Sequence, residues 1–166
     1  MHLLRPYAPS DLDQLLAVYG TAVRSQCGPF YSPEQVQAWA EHCRPGGELA
    51  ATISRGLTLV NPVGADDGRI AAFAVLDPGD RLALLYCDGR WSRQGRGATL
   101  VQALEREALQ RGERQLRTEA SQLSRPLLQR LGWQIEASET VPYAGVLFER
   151  WRMIKPLNLA AAPAHG

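Results

Sequence analysis

The apolar positions of this chain follow two spacings, and the change from one to the other marks out its elements. Leu12, Leu15, Leu16, Tyr19, Ala22 and Val23 recur at steps of three and four, which predicts an amphipathic helix. Ser10 stands where its cap belongs, with Asp11 and Asp13 in the first turn, where negative charge is favoured. A loop through Cys27, Gly28 and Pro29 follows. Ser32-Pro33-Glu34 then opens a second, short helix with Val36, Trp39 and Ala40 on one face. Residues 44–47 form a break, and 49–54 fits no single period, leaving room for a further helical turn.

Strand-like runs then take over. Residues 57–61, 69–76 and 82–87 read as strands, and the second is apolar nearly throughout, as a strand covered on both faces should be. Turn-forming residues at 62–68 and at Asp77-Pro78-Gly79-Asp80 join them into an antiparallel meander. A shorter strand at 2–5, ended by Pro6 and Pro9, precedes the first helix. After 82–87 comes a Gly/Arg-rich turn, then a helix from Gly97 or Ala98 with Leu100, Val101, Leu104 and Ala108 on one face, stopped at Arg111-Gly112. The strand at 115–120 should run parallel to 82–87, because a helix crosses between them. A short helix at 123–131 and strands at 133–137 and 145–154 complete the pattern. The expectation is an α/β (α+β) fold: one domain over 1–157, with a mixed, mostly antiparallel sheet of six to seven strands and about four helices. Residues 158–166 carry no pattern and are expected to be a flexible tail.

Composition narrows the function. The 166 residues are 45% hydrophobic and 21% charged, ordinary globular values. A net charge of +1 argues against a general nucleic-acid binder, which shows a large basic excess. No apolar run approaches the roughly 18 residues of a membrane span, and the start of the chain has no signal-peptide stretch. Cys27, Cys43 and Cys87 are odd in number and lack CxxC spacing, which points to reduced thiols in the cytoplasm. His2, His42 and His165 are scattered, so no metal site is expected.

Candidate chemistry gathers in the turn after the strand at 82–87. Arg90, Arg93 and Arg96 alternate there with Gly95 and Gly97 at a helix start. The first N–H groups of a helix lack internal partners and carry the positive end of its dipole, so such a turn is a natural anion seat. Glycines let the backbone approach a phosphate closely. The other reading of the turn alone is a tight bend with solvated arginines. The run lacks the Gly-Lys-Ser/Thr ending of a nucleotide P-loop, and Leu100 stands where a third dinucleotide-fold glycine would be needed.

The segment resembles the acetyl-CoA-binding core of the GCN5-related N-acetyltransferases, in which a strand leads into a Gln/Arg-x-x-Gly-x-Gly/Ala loop. Here the loop reads Ser92-Arg93-Gln94-Gly95-Arg96-Gly97, with Ser92 in place of the leading residue. Ala120, Ser121, Ser124, Arg125, Pro126 and Gly132 match a subgroup with an ASxxARPFFxxxGF-like pattern. That subgroup's other marks also stand here: Tyr31-Ser32-Pro33-Glu34-Gln35, Trp39, Gly145-Val146, Met153 and Lys155.

The resemblance implies an acetyl-CoA-dependent N-acetyltransferase acting on a small amine by direct transfer in a ternary complex. It implies that the amides of Arg93, Gln94, Gly95, Arg96, Gly97 and Ala98 hold the pyrophosphate, with the side chains of Arg93 and Arg96 screening charge. Main-chain groups of Leu85 and Cys87 would meet the pantetheine arm, as would the Ser121 hydroxyl unless it simply caps the following helix. Glu119 and Tyr86 are the candidates for moving protons, and Tyr31 and Trp39 for walling the acceptor pocket. Many family members carry a tyrosine acid where this chain has Leu128, and a carboxylate near Ala83. Those departures keep a non-catalytic acyl-CoA-binding module as the alternative. Phe148 and Trp151, at odd spacing on the final strand, should face opposite sides of the sheet, so that one needs cover from outside. That predicts a homodimer.

Overall fold

The computed structural model describes residues 2–43 and 46–158. Its seven-stranded sheet has the order β1-β2-β3-β4-β5-β7-β6. The strands are β1 (Arg5–Pro6), β2 (Leu57–Pro62), β3 (Ile70–Leu76), β4 (Arg81–Cys87), β5 (Gln115–Ala120), β6 (Gln134–Tyr143) and β7 (Val146–Pro156). Of the neighbouring pairs only β4–β5 is parallel. Five helices cover the sheet: α1 (Leu12–Gln26), α2 (Pro33–Ala40), α3 (Glu48–Arg55), α4 (Arg96–Gln110) and α5 (Ser124–Arg130).

Alternation along β3 divides the core in two. Phe73 and Val75 pack with Leu15, Tyr19 and Ile53 from α1 and α3 on one face. Ala72, Ala74 and Leu76 pack with Leu100, Leu104 and Ala108 of α4 on the other. Every residue of β3 is buried. The small Ala72 and Ala74 leave room for α4 to lie close on the strand, so the turn that begins α4 sits directly beyond the end of β4.

Several elements depart from expectation. The first strand is the two residues Arg5–Pro6 rather than 2–5. α1 opens at Leu12, and Ser10 lies in the 3-10 turn Pro9–Asp11 rather than at a cap. Asp11 organises that turn instead, accepting the Ala8 N–H at 2.8 Å and pairing with Arg5. Ser32 does cap α2, accepting the Gln35 N–H at 3.1 Å. The stretch left open at 49–54 is the full helix α3, and α4 begins at Arg96. β6 runs to Tyr143, six residues past the expected end at 137. Residues 44 and 45 of the expected break, and 159–166 of the expected tail, lie outside the described residues.

Phe148 and Trp151 do sit on opposite faces, packed against different clusters of this chain. Trp151 is 8% exposed beneath the Arg125 guanidinium, 4.0 Å from its ring centre. Phe148 packs against Tyr31 and Trp39, with ring centres 6.1 and 6.2 Å apart. Trp151 is thus buried within this chain, while Phe148 is half-buried, packed on one side by Tyr31 and Trp39.

Candidate active site

The parallel pair β4–β5 holds for only two positions, Arg81↔Arg117 and Leu82↔Thr118. At the last of them the Thr118 hydroxyl donates to the Leu82 carbonyl at 2.6 Å. Beyond it the register of β4 against β3 skips Ala83, so Ala83 is a bulge. A bulge bends and twists its strand, and here β4 leaves β5 at that point. The strands open into a cleft of about 910 Å³ that runs from the fork to the start of α4.

One wall of the cleft is main chain. Asp88 donates its N–H to the Ala71 carbonyl at 2.8 Å. The Ala72–Cys87 pair therefore exchanges no bonds of its own, and the Cys87 N–H and carbonyl point away from β3. Leu85, two residues earlier, is turned the same way. Gln26, the last residue of α1, donates its side-chain amide to the Cys87 carbonyl at 2.6 Å. That bond fixes the end of α1 against the end of β4, and nothing in the sequence pattern foretold it.

At one end of the cleft the chain makes its Gly/Arg turn. Asp88, nearly fully buried, accepts the Arg90 N–H and pairs with the Arg90 guanidinium, both at 2.9 Å. That guanidinium holds the Asp88 carboxyl below its ordinary value. The Ser92 hydroxyl donates to the Gly89 carbonyl at 2.9 Å, so Ser92 tightens the turn. Arg93 and Gly95 both have left-handed backbones, with φ of 58° and 81°. The first rung of α4 is Thr99 N–H to Gly95 carbonyl at 3.0 Å, so the amides of Arg96, Gly97 and Ala98 precede the helical ladder. These three residues, at the positive end of a 15-residue helix, line the cleft.

The arginines of the turn have different fates. Arg96 is 7% exposed, and its guanidinium donates to the Asn61 side chain at 2.7 Å and to the Pro62 carbonyl at 3.3 Å. Asn61, itself fully buried, donates in turn to the Leu3 carbonyl. The Arg96 guanidinium thus ties α4 to β2, while the residue also lines the cleft. Arg93 stays in the cleft lining, joined by Arg125 and Arg130 of α5, which the sequence reading gave no binding role.

Ser121 bonds within the turn that precedes α5, whose N-cap position is Leu123. Its hydroxyl accepts the N–H groups of Leu123 and Ser124 at 3.2 and 3.1 Å, and its own N–H donates to the Ser124 hydroxyl at 3.0 Å. Glu119 lies one residue past the last β4–β5 rung and also lines the cleft. Its Oε2 accepts the Arg81 Nε–H at 2.9 Å, while Oε1 has no bond among the described residues. Leu128, at the family's tyrosine position, is 1% exposed in the core.

At the far end of the cleft Trp39 and Tyr86 line the space, whereas Tyr31 lies behind Trp39 and lines a separate pocket with Val36 and Gln37. Trp39 donates its indole N–H to the Tyr86 hydroxyl at 3.1 Å, and the Tyr31 hydroxyl accepts the Gln122 N–H at 2.9 Å. Trp39 and Tyr31 meet edge to face at 5.3 Å. Burial raises the pKa of both tyrosines, so each hydroxyl keeps its proton near neutral pH and can give hydrogen bonds rather than act as a base. Burial also pushes the Cys87 thiol up to about 11 and the Cys27 thiol up to about 12, which removes both as thiolate nucleophiles. Among the described residues no cluster of His, Cys, Asp and Glu could hold a metal ion.

Known proteins resemble this chain in sequence and fold. A family model for the acetyltransferase (GNAT) domain matches residues 27–155. YafP of Escherichia coli K12, an N-acetyltransferase that is itself uncharacterized, is 28% identical over 153 residues, covering 90% of this chain and 93% of its own. A GCN5-related N-acetyltransferase structure from Rhodopseudomonas palustris superposes with a TM-score of 0.89 at 29% identity, over 95% of this chain and 96% of that one. The PaiA N-acetyltransferase of Thermoplasma acidophilum, solved with coenzyme A, superposes with a TM-score of 0.74 at 18% identity, over 94% and 99% of the two chains.

Proposed function

This chain belongs to the GNAT acetyltransferase family, and from that premise we propose that it passes the acetyl group of acetyl-CoA to the amine of a small acceptor, by direct transfer within a ternary complex. The observation that carries the proposal is the fork: β4 and β5 part after Leu82 and Thr118, and the cleft between them ends on the free amides of α4. The amides of Arg96, Gly97 and Ala98 bind the pyrophosphate, with Arg93 adjacent. The outward N–H of Cys87 polarises the thioester carbonyl, and Leu85 offers its main chain to the pantetheine arm.

An amine with a pKa of about 10 is nearly all protonated at neutral pH, so its proton must leave before attack. Glu119 takes the central part. Arg81 holds one carboxylate oxygen, and the other is left to order a water that receives the proton. Tyr86 comes second, as a hydrogen-bond donor. The leaving thiolate, with a pKa of about 8.5, departs with little side-chain help, since Leu128 has no proton to give. The free thiols of Cys27, Cys43 and Cys87 support a reducing, cytoplasmic setting.

The test is thermal. Acetyl-CoA should raise the melting temperature, and Gly95→Glu or Gly97→Glu should abolish the rise by setting bulk and negative charge in the pyrophosphate seat. An unchanged rise in folded variants would move the site elsewhere. Leu128 also favours a second reading, a module that holds an acyl-CoA without transferring it. That reading predicts the thermal shift without coenzyme A release in a broad amine screen.

A further inference from the structure

Two ends of the cleft differ in chemistry, and the difference bears on the acceptor. The α4 end is polar and cationic, with Arg93, Arg125 and Arg130 in its lining. The opposite end is walled by the tip of α1, the loop after it, α2 and β4, through Val23, Cys27, Phe30, Trp39 and Tyr86. The hydrogen-bonding atoms of that wall are taken up within the protein. The Trp39 indole N–H goes to the Tyr86 hydroxyl, and the Gln26 amide goes to the Cys87 carbonyl. What remains toward the space is ring face and alkyl surface. Phe30 is 53% exposed, unusual for a phenylalanine in a chain this size, and it lines this opening rather than the core.

Charge points the same way. Among the described residues lining the cleft, Glu119 is the only carboxylate, and Arg81 holds one of its two oxygens. A polyamine or an aminoglycoside brings further ammonium groups, each needing an anionic or carbonyl partner when taken from water. The wall has none to give. A single amine on a flat apolar body has the opposite needs: rings to stack on and one reacting nitrogen.

Resting on the acetyl-transfer reading above, we propose that the acceptor is a primary monoamine carrying an aromatic or similarly flat apolar group, which is held between Phe30, Trp39 and Tyr86. The Gln26 bond to Cys87 sets this wall beside the amide that meets the thioester, so a one- or two-carbon arm brings the nitrogen to the reacting carbonyl. The neutral amine nitrogen bonds to the acetyl carbon, the C–S bond breaks, the thiolate leaves as coenzyme A, and the amine proton passes to water at Glu119.

The test compares 2-phenylethylamine, spermidine and kanamycin at saturating acetyl-CoA, reading coenzyme A release. It adds thermal shifts with acetyl-CoA alone and with coenzyme A plus each amine. The expected result is a kcat/KM about tenfold or more higher for 2-phenylethylamine than for the polycations, the discrimination an apolar pocket can supply. An additional thermal shift should appear with that amine only. Phe30→Ser, at an exposed position that spares the fold, should raise the KM for 2-phenylethylamine about fivefold, the loss of one aromatic contact. Its acetyl-CoA shift should hold. Preference for spermidine or kanamycin, equal rates for all three, no transfer to 2-phenylethylamine, or an unmoved KM in Phe30→Ser would each overturn the acceptor assignment while the acetyl-CoA shift persists. Loss of that shift in the unaltered protein would instead overturn the acetyl-transfer reading on which it rests.

Discussion

Gly95 and Gly97 share one motif, yet the structure requires them for different reasons, and alanine substitutions separate the two. Gly95 has φ of 81°, and a Cβ built there meets only His2 Nε2, at 3.9 Å. The obstacle is therefore backbone conformation alone, which costs a residue with a Cβ about 1–2 kcal/mol. Gly97 has ordinary helical backbone, and its Cβ would come within 3.0 Å of Leu127 Cδ2, the end of a flexible side chain. Relieving that contact costs about 0.5–1.5 kcal/mol in rotamer strain. Alanine in place of glycine in a helix recovers up to about 1 kcal/mol. The two nearly cancel. For a chain of this size each kcal/mol moves the melting temperature by about 2–4 °C. Without coenzyme, Gly95→Ala should therefore melt about 2–8 °C low, and Gly97→Ala close to the parent. Gly95→Asn should recover part of the loss, because asparagine enters the left-handed region more readily. What Gly97→Ala does cost should appear on adding acetyl-CoA, since Leu127 lines the cleft. The reasoning fails if Gly97→Ala melts below Gly95→Ala, or if Gly95→Asn is no more stable than Gly95→Ala.

Glu119→Gln should lower the acetylation rate at least about tenfold, the lower part of the usual range for acid–base groups, with the acetyl-CoA thermal shift kept. Tyr86→Phe should do less, and full rate in Glu119→Gln across pH 6 to 9 would remove the carboxylate from the mechanism. Acid should weaken the fold through Asp11 and Asp88, whose pKa values are lowered chiefly by hydrogen bonds from Arg5 and Arg90. Because both lie below the unfolded value of about 3.9, their contribution is complete above that pH and is lost as the pH falls through the folded values. Urea midpoints measured from pH 6 down to 2.5 should drop less steeply in Asp11→Asn and Asp88→Asn than in the parent, and parallel curves would refute the assignment.

Local pattern announced the elements whose packing it determines. The steps of three and four in α1 and α4, and the unbroken apolar run of β3, follow from the faces those elements bury. α3 was ambiguous because eight residues show only Leu49, Ala50 and Ile53 turned inward. The far half of β6 was missed because it is an edge strand: its burial alternates only between partial and exposed, and it ends near Pro142. At the site, the glycine turn and its place at the start of α4 are legible, since both arise from residues close in sequence. The Arg96–Asn61 bond, the Gln26–Cys87 bond and the Tyr31–Gln122 bond join residues 35, 61 and 91 positions apart. No local period encodes such pairs, so the bracing of α4 against β2 by an arginine beside two glycines is not visible in the sequence.

That strut bears on why the site tolerates unusual residues. Arg96 and Asn61 fix the first turn of α4 against β2 and the segment at Leu3, and the Asp88–Arg90 pair fixes the turn from the β4 side. The amides of Arg96, Gly97 and Ala98 are thereby aimed by packing on both sides and need no side chain of their own. Ser92, in place of the family's leading Gln/Arg, adds a further bond to Gly89 within the turn. The fork has the same character: its opening depends on the bulge at Ala83, a backbone feature that an alanine makes as well as a carboxylate would. On the proposed reading main chain binds the coenzyme and polarises its thioester, which leaves side-chain identity to the acceptor end, where Phe30, Trp39 and Tyr86 line the cleft.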